Sequence, residues 1–354
     1  MATVLYHPLY GYYTAGSHKI GSTGDFITAP ELGPLFAYGL ARQIQPILLK
    51  HPDFCLLEFG AGTGILAINL LLELDKLNCL PREYYILDLS AELIDRQKQT
   101  AKQLPKNLSE KIFWLNTLPE DNSFEGIILA NEVVDAMPVN LFHIENNKIS
   151  ELGLTLINND LVWKEHKPDN YLLNYIQQNI LPIIPDKTQS YISEVNLLAQ
   201  DWLASISQCL AQGTIIIIDY GFKRQEYYHH DRNQGTLMCH YRHFAHQDPL
   251  LYPGLQDITA HVDFTSLAET ALENNLEVAS FLTQAHFLLA NNILDYFEIN
   301  NNITEQNVFS LKQQLKKLTS PSEMGELFKV LILNKNIEYS FFSDLQIYDR
   351  RYEL

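Results

Sequence analysis

Between Leu56 and Gly64 the chain reads LLEFGAGTG, an apolar strand running into a turn with glycine at every second position. Residues 65–77 then carry apolar side chains at helical spacing, and Tyr84-Tyr85-Ile86-Leu87 forms a second apolar run that stops at Asp88. Strand, glycine turn, helix and second strand make up the opening unit of a parallel α/β sheet. Gly60, Gly62 and Gly64 carry no Cβ, so the backbone can bend sharply and approach a ligand. The helix start beyond them offers unpaired N–H groups and a positive dipole end. An acid at the tip of the second strand can accept both hydroxyls of a ribose. The order is G-x-G-x-G with Ile65 next, so the third glycine of the dinucleotide fingerprint is out of place. A carboxylate, such as the methionyl end of S-adenosylmethionine, suits this turn better than a pyrophosphate. The alternative is a glycine-rich turn with no ligand.

The alternation continues. Strands are expected at 54–59, 84–88, 111–115 and 125–130, with helices near 64–77 and 90–103, Ser90 starting the second. Asn-Asn-Lys and Asn-Asn-Asp turns separate Val139–Glu145, Ile149–Ile157 and Leu161–Glu165, which predicts an antiparallel meander. Helices are expected at 171–180 and 197–210, and 213–221 is the fifth core strand, built on four consecutive isoleucines. Residues 222–262, rich in His, Tyr and Arg, lack periodicity and read as a functional lid or a disordered loop. Helical signals follow at 264–274, 284–299 and 304–318, with a sixth strand at 276–282 and a seventh at the sheet edge, 328–333.

A chain of 354 residues that is 46% hydrophobic can bury a large core, and no apolar run is long enough to span a membrane. The start, MATVLYHPLYGYY, lacks the basic and apolar regions of a secretory signal. Cys55, Cys79, Cys209 and Cys239 form no C-x-x-C pair, which fits a reducing compartment, the cytoplasm. A net charge of −17 disfavours nucleic acid as a partner and favours a basic protein or peptide, although such charge also serves solubility.

Ligands of open α/β sheets bind beyond the carboxyl ends of the strands. Those ends supply Glu58 and the three glycines, Asp88 and Leu89, Asn116 and Thr117, and the run ANEVVDAMP from Ala130 to Pro138. Asn116 is a candidate partner for an adenine edge. Glu132 and Asp135 are two carboxylates just past a buried strand, costly to keep there without partners. They could be first-turn acids of a helix capped by Asn131, or could hold a cationic acceptor such as arginine, whose planar fork matches a carboxylate. Glu194 opens the helix before the fifth strand and is either a third such carboxylate or a first-turn acid. Thr28 is a candidate cap and Pro30 a first helical residue for a helix from about 31 to 49, whereas Gly24-Asp25-Phe26 before them could form a lid over the cofactor. Cys239-His240-x-x-His243-x-x-His246 has metal-ligand types but no second half with zinc-site spacing, so no metal is expected. No Asn-Pro-Pro-Tyr follows the fourth strand, which argues against a DNA amino-methylating enzyme.

Eight blocks, GDFITAPEL, LEFGAGTG, ILDLSAEL, ANEVVDAMPV, IIIDYG, GTLMCHYRH, DPLLYPGLQDITAHVDF and EMGELFKVL, resemble in sequence and order the MidA-like S-adenosylmethionine-dependent methyltransferases, from about Leu5 to about Asn334. The eukaryotic relatives are mitochondrial enzymes that symmetrically dimethylate an arginine of a respiratory complex I subunit during assembly. The resemblance implies a class I, Rossmann-like fold with a seven-stranded, mostly parallel sheet and an inserted helical and β cap. It divides the chain into a lid and helix (1–50), a core (51–138 and 190–221, completed by 263–283 and 326–336), a meander and helix insertion (139–189) and a cap or substrate region (222–262 and 284–325). It places Gly60, Gly62, Gly64 and Asp88 on the cofactor, Asn131, Glu132 and Asp135 at the methyl-transfer mouth, and Gly24, Asp25 and Thr28 in the covering segment. Many members have Glu where this chain has Asp88, a shorter acid. The expected activity is bacterial protein arginine N-methylation with S-adenosyl-L-methionine. An assembly protein that retains a cofactor pocket and a small-molecule methyltransferase are the alternatives. The oligomeric state stays open, a homodimer being one option.

Overall fold

The computed structural model describes residues 1–14, 28–185, 190–242, 244–299 and 305–354. Helix α1 (Ala2–Tyr6) and a tyrosine-bearing turn precede helix α2 (Pro34–Lys50). The first crossover is β1 (Cys55–Phe59), α3 (Ile65–Lys76), β2 (Tyr84–Leu87), α4 (Ala91–Ala101), β3 (Ile112–Leu115) and β4 (Phe124–Asn131). The Ser90 hydroxyl accepts from Leu93 N at 3.2 Å and so starts α4. An antiparallel insertion, β5 (Asn140–Glu145), β6 (Lys148–Ile157), β7 (Asp160–His166) and β8 (Ser190–Val195), comes before the long β9 (Leu210–Phe222). The short strands β10 (Met238–Tyr241), β11 (Phe244–His246), β12 (Asp257–Thr259) and β13 (Val262–Asp263) follow, and β14 (Glu277–Thr283) and β15 (Phe328–Lys335) close the sheet.

The central sheet runs β14-β15-β9-β4-β1-β2-β3, with β13 extending beside β9. Strands β3, β2, β1, β4 and β9 pair in parallel, and β15 lies antiparallel between β9 and β14. The seventh strand is therefore internal, and the sixth is the edge. Both are short apolar runs, and burial on two faces leaves no period to distinguish an inner strand from an outer one.

Alternating side chains of β9 separate two cores. Ile216 and Ile218 pack with Leu56, Ile127 and Leu129 under α2 and α3. Ile215 and Ile217 pack with Leu57 and Ile128 under the helices 197–209 and 264–273. The predicted helix 284–299 is two pieces, 284–290 and 295–299. The stretch 222–262 is neither lid alone nor coil: β10, β11 and β12 form a small sheet that carries α1 on a core of Leu5, Tyr12, Cys239 and Ile258. Among the described residues no helix is long and apolar enough to cross a membrane.

Candidate active site

A crevice of about 840 Å³ opens along the carboxyl edge of the central sheet. From β1 onward it is lined by Glu58, Gly60 and Gly62, then by Asp88 and Leu89 past β2, Thr117 past β3, and Asn131 at the end of β4. The glycine turn needs its glycines. Gly60 and Gly62 stand at φ +60° and +54°, and a Cβ on Gly60 would sit 3.1 Å from the Val133 side chain. Gly64, at φ +83°, precedes α3 and packs on Gln97; it supports the turn from behind and does not line the crevice.

Gln97 ties the strand ends together. Its amide donates to Gly62 O at 3.1 Å and to Asp88 Oδ2 at 2.8 Å, and its carbonyl accepts from Trp114 Nε1 at 3.0 Å. Ser90 N donates to the other Asp88 oxygen at 3.0 Å. Burial raises the Asp88 carboxyl above its ordinary range, against these donors. Glu58 is buried, accepts from the Tyr84 hydroxyl at 2.8 Å and is pushed by burial up to about 7. Thr63 donates to Glu31, which binds the segment before α2 to the glycine turn.

Beyond β4 no helix forms. Glu132 takes a left-handed conformation, φ +52°, with its amide donating to Ile218 O at 2.9 Å. The reading of Asn131, Glu132 and Asp135 as a helix start is thereby corrected: the chain turns instead, and all three face the crevice. Asp219, in the last third of β9, organises that turn, with Oδ2 accepting from Val134 N at 3.0 Å and Asp135 N at 3.2 Å. The Tyr220 hydroxyl donates to Asp135 Oδ2 at 2.5 Å, while Asp135 Oδ1 and Asn131 Oδ1 are buried without a partner among the described residues. Burial first, then the neighbouring Asp135 charge, pushes Glu132 up to about 8. Burial likewise raises the adjacent Asp135 and Asp219. Three carboxylates share this corner.

The opposite wall comes from distant sequence. Tyr6 donates to Ala136 O at 2.8 Å, and Tyr13 donates to Asp257 Oδ1 at 2.8 Å. Both tyrosines, Asp257, Met238, His240 and His261 line the same crevice. Of these only His240 is a sequence candidate, and as a metal ligand; the others sit in the tyrosine-rich start and the His-rich stretch, visible only as unusual texture.

Four expectations fare differently. Asn116 is exposed in the bend past β3 and does not line the crevice, which the next two residues, Thr117 and Leu118, line instead. Glu194 does not open a helix: it lies in β8, paired opposite Leu141, and Asn196 caps the following helix. Its side chain, buried away from the crevice, accepts from the Tyr227 hydroxyl at 2.6 Å and from Thr236 N at 3.0 Å. Gly24 and Asp25 lie outside the described residues, whereas Thr28 lines the crevice. Of the suspected metal-ligand run, Cys239 is packed into apolar surroundings and His240 faces the crevice, while His243 lies outside the described residues.

Fold and crevice together define a class I methyltransferase. Residues 39–282 match the model of a family of S-adenosyl-L-methionine-dependent methyltransferases, and the chain belongs to that family. A Burkholderia thailandensis protein crystallised with S-adenosyl-homocysteine is similar at 38% identity and a TM-score of 0.91, over all of this chain and 90% of that one. A curated Drosophila melanogaster relative, the mitochondrial protein arginine methyltransferase NDUFAF7 homolog, is 26% identical over 94% of this chain and 80% of its own length. The human protein arginine methyltransferase NDUFAF7 is 25% identical over 94% of this chain and 78% of its own.

Proposed function

We propose that the protein methylates an arginine side chain of another protein. The buried acid cluster carries this reading. Glu132 and Asp135 line the crevice short of positive charge, and an arriving guanidinium would return both to the anionic form. Arginine answers this need better than lysine, because its planar fork can engage two carboxylates at once. The names of the mitochondrial relatives point the same way at about a quarter identity.

The residues fit the cofactor. The glycine turn leaves a cradle that a Cβ on Gly60 would crowd, and the Asp88 carboxylate, with Ser90, Leu89 and Gln97 as donors, keeps acceptor capacity for a ribose hydroxyl. Gly60, Gly62, Asp88, Leu89 and Thr117 would hold it, with Thr28 covering it. When bound, S-adenosylmethionine supplies an electrophilic methyl carbon on a sulfonium. The protein's own part is alignment: Glu132 and Asp135 fix the guanidinium, and Tyr220 and Asp219 fix the acids. Alignment of this kind contributes up to about 7–11 kcal/mol of barrier lowering. We place the reaction in the cytoplasm, a reading supported by four buried free thiols.

Tritiated methyl donor, purified protein and cell extract test the proposal. Acid hydrolysis should return label as methylarginine. Label confined to small solutes would sink the reading. Glu132→Gln should slow transfer about 10²–10³-fold, the scale of losing one positioned electrostatic group, with cofactor affinity unchanged.

A further inference from the structure

The elements that wall the acceptor side of the crevice also build an exposed apolar face outside it. Leu9 and Tyr10, in the turn after α1, are 70% and 73% exposed, and Phe244 and Leu255 are 63% and 64% exposed. They are contiguous through their neighbours. Phe244 lies against His246, His246 against Tyr252, and the loop carrying Tyr252 approaches Tyr10, whose carbonyl would be 2.7 Å from a Cβ on Gly254. Large apolar side chains clustered beside a crevice mark a contact surface, not scattered exposure.

We propose that this face docks the acceptor protein and takes apolar residues that border the methylated arginine. The inference rests on the arginine reading above. Two observations choose the occupant. The face is continuous with the crevice, since Tyr6, Tyr13 and Asp257 turn inward from the same hook and small sheet that turn Tyr10 and Phe244 outward. The crevice is lined by the carboxyl groups of Asp88, Glu132, Asp135 and Asp257, so a partner seated here presents a cation at the mouth and apolar side chains next to it. An arginine bordered by aliphatic or aromatic residues satisfies both, and an arginine within a polar run satisfies only one.

Two fluorescein-labelled peptides of equal length, with arginine flanked by leucine and phenylalanine or by serine, test this on protein saturated with S-adenosyl-homocysteine. Anisotropy should show the apolar peptide binding at least tenfold more tightly. Phe244→Ser and Leu255→Ser should each cost the apolar peptide about fivefold and leave the serine peptide unchanged. Equal binding of the two peptides, or a preference that survives the double substitution, overturns the platform. A wild-type dimer that sedimentation shows splitting into monomers in the double variant also overturns it, by seating a second copy there. If the preference is lost in the variants but labelled donor never marks arginine, the docking face stands and the arginine reading falls.

Discussion

At the scale of single residues, the chemistry gathers around Glu132. It sits in a left-handed conformation that costs a non-glycine residue of order 1–3 kcal/mol, just where a buried carboxyl meets Asp135. Its folded-state value of about 8 exceeds the ordinary unfolded one of about 4.3. The folded protein then holds the proton more tightly than the unfolded chain, so this group's stabilisation is present at low pH and is lost as pH rises through about 8. Melting of the cofactor-free protein should therefore show a pH-dependent loss over that window that Glu132→Gln removes. The same titration predicts an acceptor kcat/KM that rises with pH to a plateau above about 8, a rise absent from the variant. Profiles that coincide for both proteins would contradict the assignment. Much of this corner was legible: Asn131, Glu132 and Asp135 stand out as polar residues after an apolar strand. Asp219 was not, because an aspartate ending a run of isoleucines reads as an exit turn. Only the pairing of β9 beside β4 brings it under the amides of 134 and 135.

Among elements, α4 does more than cover the sheet. Gln97 joins the glycine turn after β1, the acid after β2 and the tryptophan in β3. Gln97→Leu should weaken binding of S-adenosyl-homocysteine about tenfold, equivalent to about 1.4 kcal/mol, by titration calorimetry. An unchanged Kd would mean that Asp88 holds its place without help. Strand β8 was misread for an instructive reason. Glu194 precedes a helix by three residues, and local pattern favours acids there, but antiparallel pairing of 190–195 with β5 is a long-range contact that no window shows. Its carboxylate accepts from the Tyr227 hydroxyl and from both the amide and the hydroxyl of Thr236. Glu194→Ala orphans those donors at about 1–3 kcal/mol each. The expected outcome is a large drop in melting temperature with unchanged cofactor Kd in the fraction that folds. Lost turnover in a fully stable variant would instead make Glu194 part of the reaction.

For the molecule as a whole, one crevice collects side chains from residue 2 to residue 328. Ligand binding should accordingly stabilise the entire fold. At a hundred times its Kd, S-adenosyl-homocysteine should add about 2.7 kcal/mol, seen as a melting temperature that climbs with the logarithm of its concentration. Gly62→Val, placing a branched side chain where φ is +54°, should abolish that climb. The parallel half of the sheet was readable because each strand–helix repeat is local, whereas the small sheet of β10–β12 was not, since its strands are three to four residues long and are held by α1 from the other end of the chain. The reversed course of β15 has one more consequence. Because it enters from the carboxyl edge, Leu327 and Phe328 wall the crevice, with the Phe328 ring 5.4 Å from that of Tyr220. A polypeptide emerging from the ribosome thus displays its glycine bend and its acids long before the piece that encloses them has been made.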